Sequence, residues 1–178
     1  MNTIDYIIEQ ISTLKEDEFL QIGEKTVVEE AGFYKEYAYI VIFHAGFRQG
    51  YICAPTGSLL DITTDNSEEI DELQPITNVH GGLTHCSRKL PFKNLPVSGH
   101  KWLGFKANHK DTDDIDHNAL RTYRMFPFPT MAMIHPRATV KNIPFMIFQC
   151  HALINDIIKL ELAYMMDDSI TRPNTPQI

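Results

Sequence analysis

A chain of 178 residues, 43% hydrophobic and 22% charged, can bury about two-thirds of its unfolded surface in one core, which excludes a disordered tract. Its formal net charge of −7 excludes a general nucleic-acid binder, which needs a basic face to displace counterions; a local basic pocket or an acidic surface for a basic partner stays open. No unbroken apolar run approaches the roughly 20 residues of a bilayer span, and MNTIDYIIEQ carries acids where a secretory leader carries bases, so the expected location is the cytoplasm, away from membrane.

Ile4, Ile7, Ile8, Ile11 and Leu14 recur at spacings of three and four and predict an amphipathic N-terminal helix, with Thr3 as N-cap and a break near Gly23. FYKEYAYIVIFH (33–44), dense in aromatic and β-branched residues, predicts one long strand. AGFRQG (45–50) predicts a turn, and YICAP (51–55) the returning strand of a hairpin, ended by Pro55, which has no N–H for a ladder. DITTDNSEEIDELQP (61–75), with six acids and no base, predicts a solvated loop holding a short helical turn through Ile70 and Leu73, capped by Ser67.

ITNVHGGLTHC (76–86) predicts a strand interrupted at Gly81–Gly82, and HKWLGFKANH (100–109) predicts another. The prolines of the 87–101 stretch between them predict an ordered loop, which carries Arg88, Lys89, Lys93 and Lys101 and no acid. After an acidic KDTDDIDH (110–117) and a proline-punctuated 125–145 segment, a helix is predicted over roughly 146–166, with Ile147, Cys150, Ile154, Ile157, Ile158 and Met165 marking its apolar face. The expected fold class is α+β: an antiparallel sheet of four to five strands, one face packed against the N-terminal and C-terminal helices. Residues 1–166 form a single domain in this reading, and 167–178 an extended or disordered tail.

Cys53, Cys86 and Cys150 are odd in number and contain no CxxC pair, which predicts free thiols. His80, His85, His100, His109, Asp111 and His117 fall within 38 residues and offer good ligands for zinc-like ions. Strand alternation puts His109 and Asp111 on one face and sets His80 and His85 on opposite faces. If a metal is held, His80, His109 and Asp111 are its ligands, although no HExxH spacing is present. No GxSxG elbow supports nucleophilic catalysis. Gly81 and Gly82 suit close backbone approach to an anion, with Arg88, Lys89 and Lys101 to neutralise it, His80 and His109 to orient it, and Trp102 to stack on a base. The alternative is that Trp102 and Phe105 are core and the lysines a solvated loop.

GYICAP (50–55), VHGGLT (79–84) and WLGF…H (102–109), in that order, resemble a family of small proteins encoded by bacteriophages and prophages. That family's pattern is a hairpin ending G-Y-x-x-x-P, then V-H-G-G-L-T, then W-x-G-F-D-x-x-H, then a short C-terminal helix. The resemblance covers about residues 33–109, and Lys106 stands where the family has Asp. It implies a phage accessory protein acting in the host cytoplasm. The leading expectation is a cofactor-free binding protein, not an enzyme, that takes a small phosphate-bearing, nucleotide-like ligand and sequesters a signal of host immunity, an anti-defence role. One alternative is a metal-dependent phosphodiesterase using His80, His109 and Asp111. Another is an inhibitor whose acidic 61–72 and 111–116 segments meet a basic host protein. Homo-oligomerisation is left open.

Overall fold

The computed structural model describes residues 2–62, 68–95, 99–125 and 137–171. Helix α1 (Thr3–Ser12) is capped by Asn2, whose Oδ1 accepts from the Asp5 N–H at 2.9 Å; the cap is therefore Asn2 rather than Thr3. The helix ends well before Gly23, where Ser12 Oγ and Thr13 Oγ1 donate back to the Glu9 and Gln10 carbonyls. Four strands follow as a meander: β1 (Leu20–Gly23), β2 (Thr26–Tyr34), β3 (Tyr37–His44) and β4 (Phe47–Cys53).

The long strand expected over 33–44 is a hairpin. Tyr34 pairs with Tyr37, and the two residues between them, Lys35 and Glu36, turn the chain with φ of 48° and 70°. Such a turn favours glycine or asparagine, and neither is present to signal it. The next turn, Ala45–Gly46, lies where glycine does signal it. Short α2 (Leu59–Ile62) and α3 (Glu68–Leu73) lead through a 3₁₀ turn (Gln74–Ile76) to β5 (His85–Ser87) and β6 (Trp102–Ala107). The strand expected over 76–86 is thus confined to its last residues. The Ser67 cap lies outside the described residues.

All six strands form one antiparallel sheet, in the order β1-β2-β3-β4-β6-β5. The fold class is α+β, with two corrections: the sheet has six strands, and its helices cover both faces. Ile40, Ile42, Tyr51 and Trp102 pack with Ile4 and Ile7 of α1, whereas Val41, Ile52, Leu103 and Phe105 pack on the other side with the C-terminal helix. The near-continuous apolar run YIVIF in β3 fits burial on two faces, where a half-exposed strand would alternate.

Beyond β6, β7 (Asp113–Asp114) pairs in parallel with β8 (Thr139–Val140), flanking α4 (His117–Thr122). Helix α5 runs Ile143–Thr171, longer at both ends than expected, and absorbs the start of the supposed tail. Met146, Cys150, Leu153, Ile154 and Ile157 are at most 1% exposed. The Ile143–Met166 stretch is long and apolar enough to cross a membrane by length and composition alone, although no unbroken apolar run marks it in the sequence. Its first half supplies the sheet's core, while Leu162, Tyr164, Met165 and Met166 are exposed.

One ionic network ties these layers. Glu29 occupies a bulge in β2 between Val28 and Glu30, and the bulge re-aims its side chain. Arg48 donates to both Glu29 oxygens at 2.6 and 3.0 Å, to Asp116 Oδ2 at 2.7 Å and to the Lys141 carbonyl at 3.1 Å. The Tyr123 hydroxyl also donates to Glu29 at 2.6 Å.

Candidate functional site

The 78–80 segment lies outside the sheet's ladders, and α5 side chains satisfy the N–H groups of Asn78 and His80. Asn78 donates to Asp156 Oδ2 at 2.9 Å and His80 to Gln149 Oε1 at 2.8 Å. The chain then reverses through Gly81 and Gly82, both at positive φ, 70° and 81°. Each glycine is also a seat for a side chain. A Cβ on Gly81 would stand 1.8 Å from His109 Nε2, and one on Gly82 2.9 Å from Gln74 Oε1. Gln74 in turn brackets Leu83, accepting from its N–H at 2.9 Å and donating to its carbonyl at 3.0 Å. The Gly82 N–H is spent on the Val79 carbonyl, so Gly82 does not offer the anion-binding donor expected of it.

After β6 the chain closes a tight turn, in which the Asp113 N–H donates to the His109 carbonyl at 2.8 Å. The Asp113 carboxylate accepts from the His109 N–H at 2.8 Å and from Thr112 Oγ1 at 3.1 Å. His80 Nε2 lies 2.8 and 3.0 Å from its two oxygens, and Lys141 Nζ 3.5 Å from Oδ1. A carboxylate only accepts, so His80 carries its proton on Nε2. Burial by itself raises the Asp113 pKa; the His109 N–H, the His80 imidazole and the Thr112 hydroxyl outweigh that and hold it below the usual carboxylate range. The His80 ring meets His109 edge-on at 5.6 Å and Phe145 at 5.3 Å.

One potential ligand atom from each of His80, His109 and Asp113 lies within 4.8 Å of the others. Asp113 is fully buried, His80 retains 17% side-chain exposure, and His109 Nε2 is buried with no hydrogen-bond partner among the described residues. Comparison of the chain with protein-family models, curated proteins and solved structures finds no match. The functional reading therefore rests on the chemistry of these residues.

The structure brings together His80, Gly81, Gly82 and His109, and separates the rest of the expected site. Asp111 is exposed, and Asp113 takes the place given to it, because the chain leaves the strand at Ala107 and strand alternation no longer sets which carboxylate returns. Trp102 is 0% exposed and faces α1, across the sheet from His80, so it offers no ring for stacking on a ligand. Lys101 is also fully buried. Arg88 donates to the Asp61 carbonyl at 2.5 Å and the Gly99 carbonyl at 2.9 Å, and Asp61 additionally meets His100 at 3.3 Å. Of Arg88, Lys89 and Lys101, the cations expected to neutralise the ligand, only Lys89 is exposed. His85 packs edge-on against Tyr51 on the α1 side, so the expected separation from His80 holds although no continuous strand joins them. Asp113, Gln149 and Lys141 were missed; from sequence, Asp113 is one acid among four in 110–117 and nothing distinguishes it.

Proposed function

We propose that His80, His109 and Asp113 form a site for a zinc-like divalent ion and that its chemistry is metal-assisted hydrolysis. The observation that carries this reading is the convergence of two imidazoles and a carboxylate, from three positions apart in the chain, to within 4.8 Å. Ligands about 2.0–2.2 Å from a tetrahedral ion lie about 3.4 Å from one another, so a rotamer-scale adjustment closes the set. The unpartnered His109 Nε2 is explained by the same ligand. Three protein ligands leave a coordination position open, which distinguishes hydrolytic centres from closed structural ones; a bound ion there acidifies water. Within the chain, Gln149 fixes the His80 backbone, Gly81 seats His109, and Thr112 and the His109 N–H orient Asp113.

The test is elemental analysis and zinc titration of tag-free protein, with bis(p-nitrophenyl) phosphate as a hydrolysis probe. One zinc per chain, lost in His109→Ala and His80→Ala, is expected; absence of stoichiometric zinc, manganese, cobalt and nickel binding overturns the reading. A second reading is supported by the direct His80–Asp113 bond and by Lys141, which already balances Asp113. Here the pair acts without metal, with Asp113 orienting His80 as a general base. Probe turnover that survives chelator and is lost in Asp113→Asn selects it.

A further inference from the structure

Two lysines that the metal reading leaves unused, Lys93 and Lys106, line one recess on the opposite, α1-facing side of the sheet. There the apolar core of Ile40, Ile42, Tyr51 and Trp102 gives way, toward one end of the strands, to polar side chains. By strand alternation His44 follows Ile42 on that face, Gln49 precedes Tyr51, and Lys106 lies beside Gln49 in the β4–β6 register. The 91–94 segment of the basic loop closes over them. Asn94 Nδ2 ties it down by donating to the Ile22 carbonyl at 3.0 Å, and Phe92 packs edge-on against Tyr51 at 5.8 Å. The result is a recess of about 400 Å³, within the range of small-molecule sites.

Its lining includes Lys93, Lys106 and His44 and contains no carboxylate, in a chain of net charge −7. Neither Lys93 nor Lys106 is in an ion pair among the described residues. Two further polar side chains are held in place. The Tyr51 hydroxyl donates to Gln49 Oε1 at 2.6 Å, which fixes the buried amide and leaves its NH₂ to the recess. Thr26 Oγ1 holds His44 Nδ1 at 2.8 Å, leaving Nε2. Burial first, then the charges of Lys106 and Lys25, lower the His44 pKa.

We propose that this recess binds a small organic phosphate. The phosphate lies between Lys93 and Lys106 with the Gln49 amide and His44 as further donors, and the organic part lies against Pro91 and Phe92. Lys93 and Lys106 together make the site cationic. The site is separate from His80–His109–Asp113 and independent of any metal there.

The test is calorimetric titration of the full chain with AMP as probe, in low and in physiological salt, with inorganic phosphate as competitor. Each of Lys93→Gln and Lys106→Gln should weaken AMP by about tenfold or more, the usual effect of losing a charge-assisted bond. Inorganic phosphate should compete, salt should weaken binding, and His80→Ala should leave it unchanged. Both lysines are surface-accessible, and thermal unfolding of each variant verifies the fold. Absence of AMP binding, binding indifferent to both lysine variants, failure of inorganic phosphate to compete, or loss of binding in His80→Ala overturns the proposal.

Discussion

Replacing Gly81 by alanine separates the two demands made on that residue. The backbone there has φ of 70°, where a Cβ costs about 1–2 kcal/mol. In a chain of this size that strain lowers the melting temperature by about 2–8 °C. The second demand is steric and local. The new Cβ would stand 1.8 Å from His109 Nε2, so the ring must retreat by about 1.6 Å to reach an ordinary contact of 3.4 Å. Metal ligation tolerates displacements of about 0.2 Å, so Gly81→Ala should lower zinc affinity by about 100-fold or more while the protein stays folded. Gly82→Ala is the control. It carries the same kind of backbone strain at φ of 81°, but its Cβ meets the movable amide end of Gln74 at 2.9 Å. Zinc affinity in that variant should stay within about threefold of wild type, since no ligand is displaced. Competition with a fluorescent zinc chelator, alongside thermal unfolding, reads both effects. A Gly81→Ala protein that binds zinc as wild type does would refute the seating of His109 and with it the site.

Arg48→Ala should cost about 3–5 kcal/mol in urea denaturation, because Glu29, 1% exposed, is left buried without its counter-charge and with the Tyr123 hydroxyl as its remaining donor; a loss under about 1 kcal/mol would contradict the network. Burial lowers the His151 pKa from 6.5, so its contribution to stability is complete above the unfolded-state pKa and is lost as pH falls through the folded one. Stability should therefore decline as pH falls below the ordinary histidine value of 6.5, and His151→Phe, which keeps the 4.0 Å stack on Tyr34 and removes a buried nitrogen without a partner, should flatten the part of that decline not due to His44. A pH profile unchanged in His151→Phe would count against this assignment. Cys53 is buried and its thiol is pushed up to about 12, and burial pushes Cys150 up as well, so native alkylation should label half-buried Cys86 first, as peptide mass spectrometry would show; early labelling of Cys150 would contradict its place under α5.

The fold class and the helices at either end were legible because apolar spacing at three and four needs nothing beyond neighbours in the chain. The Lys35–Glu36 turn was not, since two ordinary residues are held at positive φ by the pairing of strands on either side. Expecting both helices on one face failed for a related reason: the pattern marks which residues are buried, not by what. The site was legible in half. Glycines at 81 and 82 and histidines at 80 and 109 could be singled out by type, but Asp111 and Asp113 carry the same side chain two residues apart.

What the sequence determined by itself is local: the helix stripes, the strand composition, the glycine pair, and the concentration of bases in 87–101. Tertiary structure alone decided which carboxylate meets His80, because the chain from 109 to 113 curls so that Asp113 accepts its own loop's N–H. It also buried Trp102 and Lys101, committed Arg88 to Asp61 and Gly99, and set Lys93 and Lys106 in the lining of one recess. Charges close in sequence alternate across a strand or turn away with a loop; only the register of β4 on β6 and the docking of the 91–94 segment set which of them share a surface.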